Sequence, residues 1–289
     1  MQTIAILGAS GVYGRWLTPR LVANGFKVRA LVRRPEAAAV ATACGADVRI
    51  ADIFDEGSLV SGLEGCDVGI NLATSLPGPS GRGSFEANDR VRREGAPLWV
   101  NACRNAGVGR VIQQSIAMIN ASGSDAWSDE DTVYAATEQG VTTDAFAASI
   151  AMEDAVKSSD LDWIILRGGL FYGPGTGFDD DWFARAQAGK LRLPEDGSSF
   201  VSLVHISDMA VATLAAVKHW PSRQTLIVCD DQPARWRDIF GYVAQIASAP
   251  APSPGGHAGF PSFRVSNRRA REALSWAPFY TDYRAGLVR

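Results

Sequence analysis

Three glycines near the start of the chain have the spacing of a site that binds phosphate groups. Gly8, Gly11 and Gly14 follow the apolar run Thr3–Leu7 and open a helix-like stretch that continues through Val22. A strand, a glycine turn and a helix N-terminus in this order direct backbone N–H groups and the positive end of the helix dipole at a pyrophosphate. Gly8 allows the tight turn, Gly11 lets the backbone approach the phosphates, and Gly14 lets the helix pack closely on the sheet. The pattern predicts a dinucleotide cofactor.

The residues after the second predicted strand favour NADP over NAD. This strand ends in Arg33, Arg34 and Pro35, and the first carboxylate beyond it is Glu36. Enzymes that select NAD usually place an acidic residue here to hold the ribose 2′-hydroxyl. An arginine fork matches a 2′-phosphate instead. We therefore predict NADP, the alternative being that both arginines are solvated surface residues.

One serine and two tyrosines are candidates for polarising a substrate oxygen. Ser115 ends the fifth predicted strand, where we expect it to face the nicotinamide. Tyr134 lies in the segment Trp127–Glu138, and Tyr172 lies in the loop after the sixth strand. A phenol in either place can act as an acid, although packing is the alternative role for both.

Two other features invite a catalytic interpretation that we do not adopt. His205 lies between a predicted strand and a predicted helix. Asp179, Asp180 and Asp181 are consecutive, so their side chains point in different directions, and carboxylates are favoured at a helix start in any case. No metal site is predicted. The aromatic residues Trp182, Phe183 and Phe178 either line a substrate pocket or close the core of the smaller lobe.

The elements that must position these residues alternate between strands and helices. Stretches such as Glu86–Ala106 and Thr143–Ser158 have helical patterns. This alternation predicts an α/β fold, a doubly wound parallel Rossmann sheet with helices on both faces and ligands at the carboxyl ends of the strands. The predicted strands after the first are Lys27–Val32, Asp47–Ile50, Asp67–Leu72, Arg110–Gln114 and Asp162–Leu166.

The character of the chain changes after Arg167, where Gly168–Gly175 is interpreted as a loop. Residues 1–168 are predicted to form the cofactor domain, to which 199–229 returns, whereas 169–198 and 230–289 form a smaller substrate lobe. The proline-rich run Ala249–Gly256 is interpreted as a surface linker. The further predicted elements are strands Phe200–Val204 and Thr225–Cys229 and helices Ser207–Val217, Trp236–Ala247 and Asn267–Leu274.

Composition narrows the class of protein. The chain has 289 residues, of which 46% are hydrophobic and 20% charged, so it can bury a substantial core. A net charge of −3 gives no reason to expect nucleic acid or an anionic membrane as a partner. No secretory signal or membrane span is recognised, and four dispersed cysteines fit a reducing cytoplasm, which is the expected location. The expected partner is a small-molecule substrate.

The chain resembles the extended and atypical short-chain dehydrogenase/reductases, which include sugar-nucleotide epimerases and dehydratases. The resemblance runs nearly from end to end. It rests on the glycine turn and on Asp52-Ile53, Asn71-Leu72-Ala73, Arg110–Ser115, Arg167–Gly175, Val204–Asp208 and Glu272–Pro278. It implies a homodimer through the two helices Glu86–Ala106 and Thr143–Ser158. The resemblance also implies further cofactor-binding residues. With the glycine turn and the two arginines included, the predicted set is Gly8, Ser10, Gly11, Val12, Tyr13, Gly14, Arg33, Arg34, Asp52, Ile53, Leu72, Ala73, Thr74, Ser115, Gly169 and Leu170.

The resemblance fails at the catalytic pair of this family, a tyrosine followed four residues later by a lysine. The residues four before the chain's lysines are Ala23, Glu153, Ala186 and Leu214, so the pair is absent. The aligned positions hold Ala145 and Ser149. The usual proton transfer, in which the lysine lowers the pKa of the tyrosine, is therefore not carried over.

Three functions remain open from the sequence. The leading hypothesis is an NADP-dependent oxidoreductase acting on a small carbonyl- or alcohol-bearing metabolite, with Ser115 and Tyr134 or Tyr172 polarising the oxygen. The second is an epimerase-like or dehydratase-like enzyme acting on a sugar nucleotide. The third is a non-catalytic, NADP-sensing regulatory protein, a role that the loss of both catalytic residues permits.

Overall fold

A computed structural model describes residues 1–77, 83–133, 141–257 and 259–287, and the side chain of residue 141 is not described. Within these ranges the strands are β1 (Thr3–Leu7), β2 (Lys27–Val32), β3 (Asp47–Ile50), β4 (Val68–Asn71), β5 (Arg110–Ile116), β6 (Asp162–Gly168), β7 (Leu170–Tyr172), β8 (Arg192–Pro194), β9 (Phe200–Val201), β10 (Leu203–His205), β11 (Gln224–Val228), β12 (Ala234–Arg235) and β13 (Ser253–Gly256).

The helices of the same ranges are α1 (Val12–Ala23), α2 (Ala39–Ala43), α3 (Glu56–Leu63), α4 (Phe85–Arg90), α5 (Ala96–Asn105), α6 (Val141–Lys157), α7 (Phe178–Gln187), α8 (Ile206–His219), α9 (Trp236–Ile246), α10 (Arg268–Leu274) and α11 (Tyr283–Gly286). Pro35–Ala38 and Ala117–Asn120 form 3₁₀ turns, and Val91–Gly95 forms one turn of π-helix between α4 and α5. None of the helices described is long and apolar enough to cross a bilayer.

Seven strands form one sheet in the order β11-β6-β5-β4-β1-β2-β3. β1 pairs in parallel with both β2 and β4, so the chain reverses its direction of winding at β1. β4 is fully buried, as expected for a strand covered by helices on both faces. The predicted Rossmann sheet is confirmed, and β2 and β3 have the predicted bounds. Its reversal point is where open α/β sheets bind ligands.

The chain divides into two compact units. The first consists of Met1–Ser115, Gln139–Leu166 and Thr213–Thr225, and the second of Ile116–Glu138, Arg167–Ala212 and Leu226–Arg289. In the first unit, apolar side chains of the sheet pack on α3 and α5, with Trp99 fully buried. The division into a cofactor domain and a substrate lobe stays a prediction.

The second unit has its own core, built around three rings. Trp182 of α7 contacts Trp236 of α9 edge-on, with 5.8 Å between ring centroids, and Phe240 lies 5.0 Å from Trp236. Trp182 and Phe183 are buried in this core, whereas Phe178 is exposed. Trp182 and Phe183 therefore close a core, which is one of the two roles left open for them.

Several predicted elements have to be corrected. Gly168–Gly175 is not all loop, because β6 continues through Gly168 and Leu170–Tyr172 pairs in parallel with β10. Ala249–Gly256 is not only a linker, since Ser253–Gly256 pairs with β8 at a short edge that tolerates Pro254.

Two further predicted elements are interrupted. The predicted strand Phe200–Val204 is divided at Ser202 into β9 and β10, which pair with different strands. The predicted helix Glu86–Ala106 is interrupted by the π-helical turn.

Candidate cofactor-binding site

The glycine turn after β1 is too tight for any side chain at two of its positions. Gly8 has φ +82°, and a Cβ there would lie 2.9 Å from the backbone of Leu72. A Cβ on Gly14 would lie 2.5 Å from the Cα of Ala9. Gly11 donates its N–H to the carbonyl of Gly8 at 3.0 Å and precedes the first residue of α1. The turn is a backbone cradle of the kind that fits a pyrophosphate.

A cavity of about 330 Å³ opens beside this turn at the carboxyl ends of β1–β4. Its lining includes these groups from the turn, the strand ends and α4: Gly8, Ser10, Gly11, Arg33, Ile53, Phe54, Leu72, Ala73, Thr74, Ser75, Ala87 and Arg90. The structure thus brings together eight of the predicted cofactor-binding residues around one opening. Val12, Tyr13 and Gly14 lie in α1 and do not line it.

The two predicted arginines have different surroundings. Arg33 is exposed and lines the cavity, and no ion pair forms on it within the described part of the chain. Arg34 lies 3.7 Å from Glu36, is half exposed and does not line the cavity. Of the pair, Arg33 is the one that lines this cavity, and its role toward a 2′-phosphate stays a prediction.

Part of the cavity lining combines an aromatic ring with a guanidinium group. Asp52 accepts the N–H of Phe54 at 2.9 Å, which shapes the turn after β3. The guanidinium of Arg90 lies over the Phe54 ring, 4.5 Å from its centroid, and forms an ion pair with Glu94 at 2.8 Å. A stacked ring and guanidinium provide a flat surface suited to an aromatic base.

Two asparagines hold the chain that follows β4. Asn71 is buried; its Oδ1 accepts the N–H of Ala73 at 3.0 Å, and its Nδ2 donates to Gln113 at 3.0 Å. Asn88 of α4 accepts the N–H of Ser75 at 2.9 Å. These bonds fix Leu72–Ser75 along the cavity.

Tyr13 is one of the predicted cofactor residues, and its side chain is buried. Its hydroxyl forms a short hydrogen bond with the hydroxyl of Thr213, which is also buried. Burial raises the pKa of Tyr13 well above its ordinary value, so the phenol stays neutral. Tyr13 therefore anchors the start of α1 to α8.

Ser115 belongs to a buried polar chain. Its hydroxyl donates to Oε1 of Glu153 at 2.7 Å, and Lys157 donates to Oε2 of the same carboxylate at 2.8 Å. Ser115 and Glu153 are each 1% exposed. The hydroxyl is thus engaged with α6, and a role for it toward nicotinamide stays a prediction.

Tyr172 lies inside the core of the second unit. It is fully buried in β7, its hydroxyl donates to the carbonyl of Asp282 at 3.3 Å, and its ring meets His205 edge-on at 5.2 Å. Burial, with nearby carboxylates, raises the pKa of Tyr172 far above its ordinary value. This phenol has the surroundings of a packing residue. Tyr134 lies outside the described residues.

The remaining predicted residues are also part of the second unit. Gly169 and Leu170 are buried around the start of β7, where Gly169 donates to the carbonyl of Val228 at 2.9 Å and Leu170 to that of Ser202 at 2.9 Å. Their contribution to a cofactor site stays a prediction. In the part of the chain that the structure describes, no group of three His, Cys, Asp or Glu side chains is arranged to hold a metal ion.

Sequence reasoning missed Phe54, Ser75 and Arg90 at the cavity. Phe54 directly follows the recognised Asp52-Ile53 pair, so its position could have been inferred from that neighbour. No local pattern pointed to Arg90, because its position over the Phe54 ring is a tertiary contact.

Comparisons with known proteins also point to an NAD(P)H-binding domain. A family model described as NAD(P)H-binding matches residues 8–216. The 3-diazoavenalumate denitrifying reductase of a Streptomyces species is 33% identical over 99% of both chains. The dTDP-4-dehydro-6-deoxy-D-allose reductase of a Streptomyces species is 26% identical over 99% of this chain and 94% of that one.

A solved structure shares the fold at low identity. The UDP-glucuronic acid 4-epimerase of Bacillus cereus, solved with UDP-glucuronic acid and NAD, has a TM-score of 0.79 at 18% identity, over 99% of this chain and 96% of that one. The named relatives are enzymes, which disfavours a purely regulatory role. This chain belongs to the NAD(P)H-binding family, among the extended short-chain dehydrogenase/reductases, and is an enzyme of their reductase and epimerase type.

Proposed function

We propose that the chain is an NADP-dependent reductase that delivers a hydride to an electron-poor metabolite, with arenediazonium ions as its substrate class. One observation carries this proposal. Ser149, at the position of the family's lysine, is fully buried and donates its hydroxyl to the carbonyl of Ala145 at 2.7 Å. Ala145 itself stands at the position of the tyrosine. Neither a phenol nor an ammonium group is available at these two positions to move a proton.

The absence of a proton donor at these two positions restricts the kinds of reduction that the enzyme can catalyse. Reduction of a ketone leaves an alkoxide that must gain a proton, which the tyrosine of the family supplies. Replacement of the diazonium group of an arenediazonium cation does not have this requirement. Hydride forms the new C–H bond, the C–N bond breaks, and its electron pair leaves with N₂, while the nicotinamide is oxidised. The charges and atoms balance without an added proton.

The relative that is 33% identical supports this substrate class, because its name describes a denitrifying reductase of a diazo compound. The match spans 99% of both chains, so it includes residues outside the cofactor domain. Bound nicotinamide would supply the hydride. This chain's own residues would cradle the phosphates at Gly8–Gly11 and stack the adenine against Phe54 and Arg90, and Arg33 would pair with the 2′-phosphate.

Sugar-nucleotide epimerisation is less well supported. That reaction begins by removing a proton from a sugar hydroxyl, and a base near the nicotinamide is required for it. At the two positions where the family carries this base and its lysine, the chain carries Ala145 and Ser149. We therefore place the reductase first.

The test measures NADPH oxidation and N₂ release with an arenediazonium salt, alongside ketones, enones and sugar nucleotides. We expect equimolar NADPH loss and N₂ release with the diazo compound only. Because NADPH and diazonium ions also react without enzyme, a Gly8→Val variant at the same concentration gives the background rate. Turnover of ketones at the same rate as the diazo compound, or a diazo rate no higher than that of Gly8→Val, would overturn the proposal.

A further inference from the structure

An ion pair at the edge of the cofactor cavity holds one of the residues that line it. Arg90, the last residue of α4, lines the cavity, and its Nε donates to Oε2 of Glu94 at 2.8 Å. Glu94 lies four residues further along the chain, in the π-helical turn, and is not part of the lining. Both side chains are more than half exposed. The pair therefore lies in solvent beside the cavity.

The same guanidinium lies over an aromatic ring of the lining. Its central carbon is 4.5 Å from the centroid of the Phe54 ring. The N–H groups of a guanidinium point outward in its own plane. Glu94, which accepts from Nε, therefore holds the Arg90 guanidinium by its edge and leaves its flat faces free of the carboxylate. The contact with Phe54 and the bond to Glu94 do not compete with each other.

The backbone that carries this pair is fixed by packing, whereas the Arg90 side chain is not. A Cβ on Gly95 would lie 2.7 Å from the side chain of Ile53, so the π-helical turn packs directly against the segment that carries Phe54. In the part of the chain that the structure describes, two contacts hold the Arg90 guanidinium, those with the Phe54 ring and the Glu94 carboxylate. Without the carboxylate, this long, exposed side chain gains rotational freedom.

We propose that Glu94 is a positioning residue for the adenine end of the cofactor, and that it acts by holding Arg90 over Phe54 before the cofactor binds. The inference rests on the proposed function, which stacks the adenine against Phe54 and Arg90. A binding partner that immobilises a free, long side chain loses affinity to the entropy of ordering it. Because Glu94 has already ordered Arg90, the cofactor avoids this loss.

Positioning can be distinguished from an effect of charge. NADPH and NADH share the adenine, so loss of positioning weakens the binding of both by the same factor. Loss of the Glu94 charge alone would leave Arg90 as an unpaired cation in the lining, and this cation would tighten NADPH, with its additional phosphate, more than NADH. The pair is exposed, so salt at physiological concentration screens this second effect.

The experiment measures the dissociation constants of NADPH and NADH by calorimetric titration. Glu94→Ala removes the carboxylate, and Asp181→Ala is the matched control. Asp181 forms an ion pair with Arg185 of α7 that also spans four residues at 2.8 Å, with the arginine side chain equally exposed at 60%, and it does not line the cavity. We expect Glu94→Ala to weaken both cofactors by the same factor, roughly twofold to tenfold, which is the cost of ordering one long side chain.

Asp181→Ala should leave both affinities unchanged. The melting temperatures of the two variants should change little, because exposed ion pairs contribute little to stability. A loss of cofactor affinity in Glu94→Ala therefore does not report on unfolding.

Two further measurements show through which group Glu94 acts. In an Arg90→Ala background, Glu94→Ala should have no additional effect. Adenosine 2′,5′-bisphosphate, which has the adenine but no nicotinamide, should lose the same factor in Glu94→Ala as NADPH does. Unchanged binding of this fragment, tighter binding of NADPH, or an equal loss in the Arg90→Ala background would each overturn the proposal. Failure of diazonium reduction together with the expected changes in affinity contradicts only the proposed reaction.

Discussion

The hydroxyl of Ser115 donates a 2.7 Å hydrogen bond to Oε1 of Glu153, deep inside the first unit. Lys157 holds the other carboxylate oxygen at 2.8 Å and is itself one-third exposed. Glu153 is thus a buried carboxylate balanced by a cation and a hydroxyl, and these groups connect β5 to α6. Buried charges remain stable only when they are paired and hydrogen-bonded.

Ser115→Ala should therefore lower the stability of the protein more than it lowers the turnover of the folded fraction. Loss of the hydroxyl leaves one oxygen of a buried carboxylate without this donor, and we expect the free energy of unfolding to fall by about 1–3 kcal/mol. Urea denaturation measures this change, and turnover is measured on the folded fraction. A variant as stable as the wild type whose turnover falls a hundredfold would instead make Ser115 a catalytic residue.

Gly8 and Gly25 allow a matched test of the phosphate cradle. Both have φ +82°, but a Cβ on Gly25 meets no atom within 4 Å, whereas one on Gly8 meets the Leu72 backbone at 2.9 Å. Gly25→Ala should cost only the strain of the left-handed backbone, roughly 1–2 kcal/mol, and leave cofactor affinity unchanged. Gly8→Ala should cost more and abolish NADPH binding in a fluorescence titration. Equal affinities in the two variants would show that the turn does not hold the cofactor.

Arg33 should discriminate between NADP and NAD, and Arg34 serves as its control. Arg33→Ala should weaken NADP binding at least tenfold, since a charged hydrogen bond contributes about 1.5–3 kcal/mol, and leave NAD binding unchanged. Arg34→Ala should change both affinities little, because Arg34 lies outside the cavity lining. Calorimetry with both cofactors checks this. An NAD preference in the wild type would refute the assignment of NADP.

Asp230 should make the protein less stable as pH rises. This carboxyl is buried, its Oδ2 has no hydrogen-bond partner among the residues that the structure describes, and desolvation, reinforced by Asp282, Asp231 and Asp208, raises its pKa well above 3.8. The folded state therefore keeps a proton that the unfolded chain releases above about pH 4. Stability is full below that pH and declines as pH rises toward the folded pKa.

Asp230→Asn removes this titration and should flatten the decline in melting temperature with pH. Asp160→Asn is the control, since Asp160 is exposed, forms an ion pair with Arg104 at 2.7 Å and is not among the carboxylates that raise the pKa of Asp230. It should lower the melting temperature slightly and leave the slope unchanged. Identical slopes for the wild type and Asp230→Asn would contradict the assignment.

The sheet and the glycine turn could be predicted because both depend on short-range patterns. Alternating apolar runs gave the strands of the Rossmann sheet, and the spacing of Gly8, Gly11 and Gly14 indicated the turn. β7 and β13 were missed, because Leu170–Tyr172 and Ser253–Gly256 are short and flanked by glycine or proline, and their pairing with β10 and β8 is a tertiary property.

The direction in which individual side chains point could also not be predicted from the sequence. Ser115 was expected to face the nicotinamide, but which partner its hydroxyl chooses depends on α6. Arg90 of α4 lies over the Phe54 ring, and Arg92 of the π-helical turn donates to the carbonyl of Ala145, and each contact joins residues far apart in the sequence. No local pattern in residues 86–106 predicts that turn.

Deuteride transfer tests most directly whether this chain is a reductase. The enzyme is incubated with NADPH deuterated on the transferred position and an arenediazonium salt, and the products are analysed by mass spectrometry. Our account predicts one deuterium on the carbon that lost N₂ and one NADP⁺ formed per product molecule. Deuterium retained in the cofactor with no net oxidation, together with epimerisation of a supplied sugar nucleotide, would contradict it.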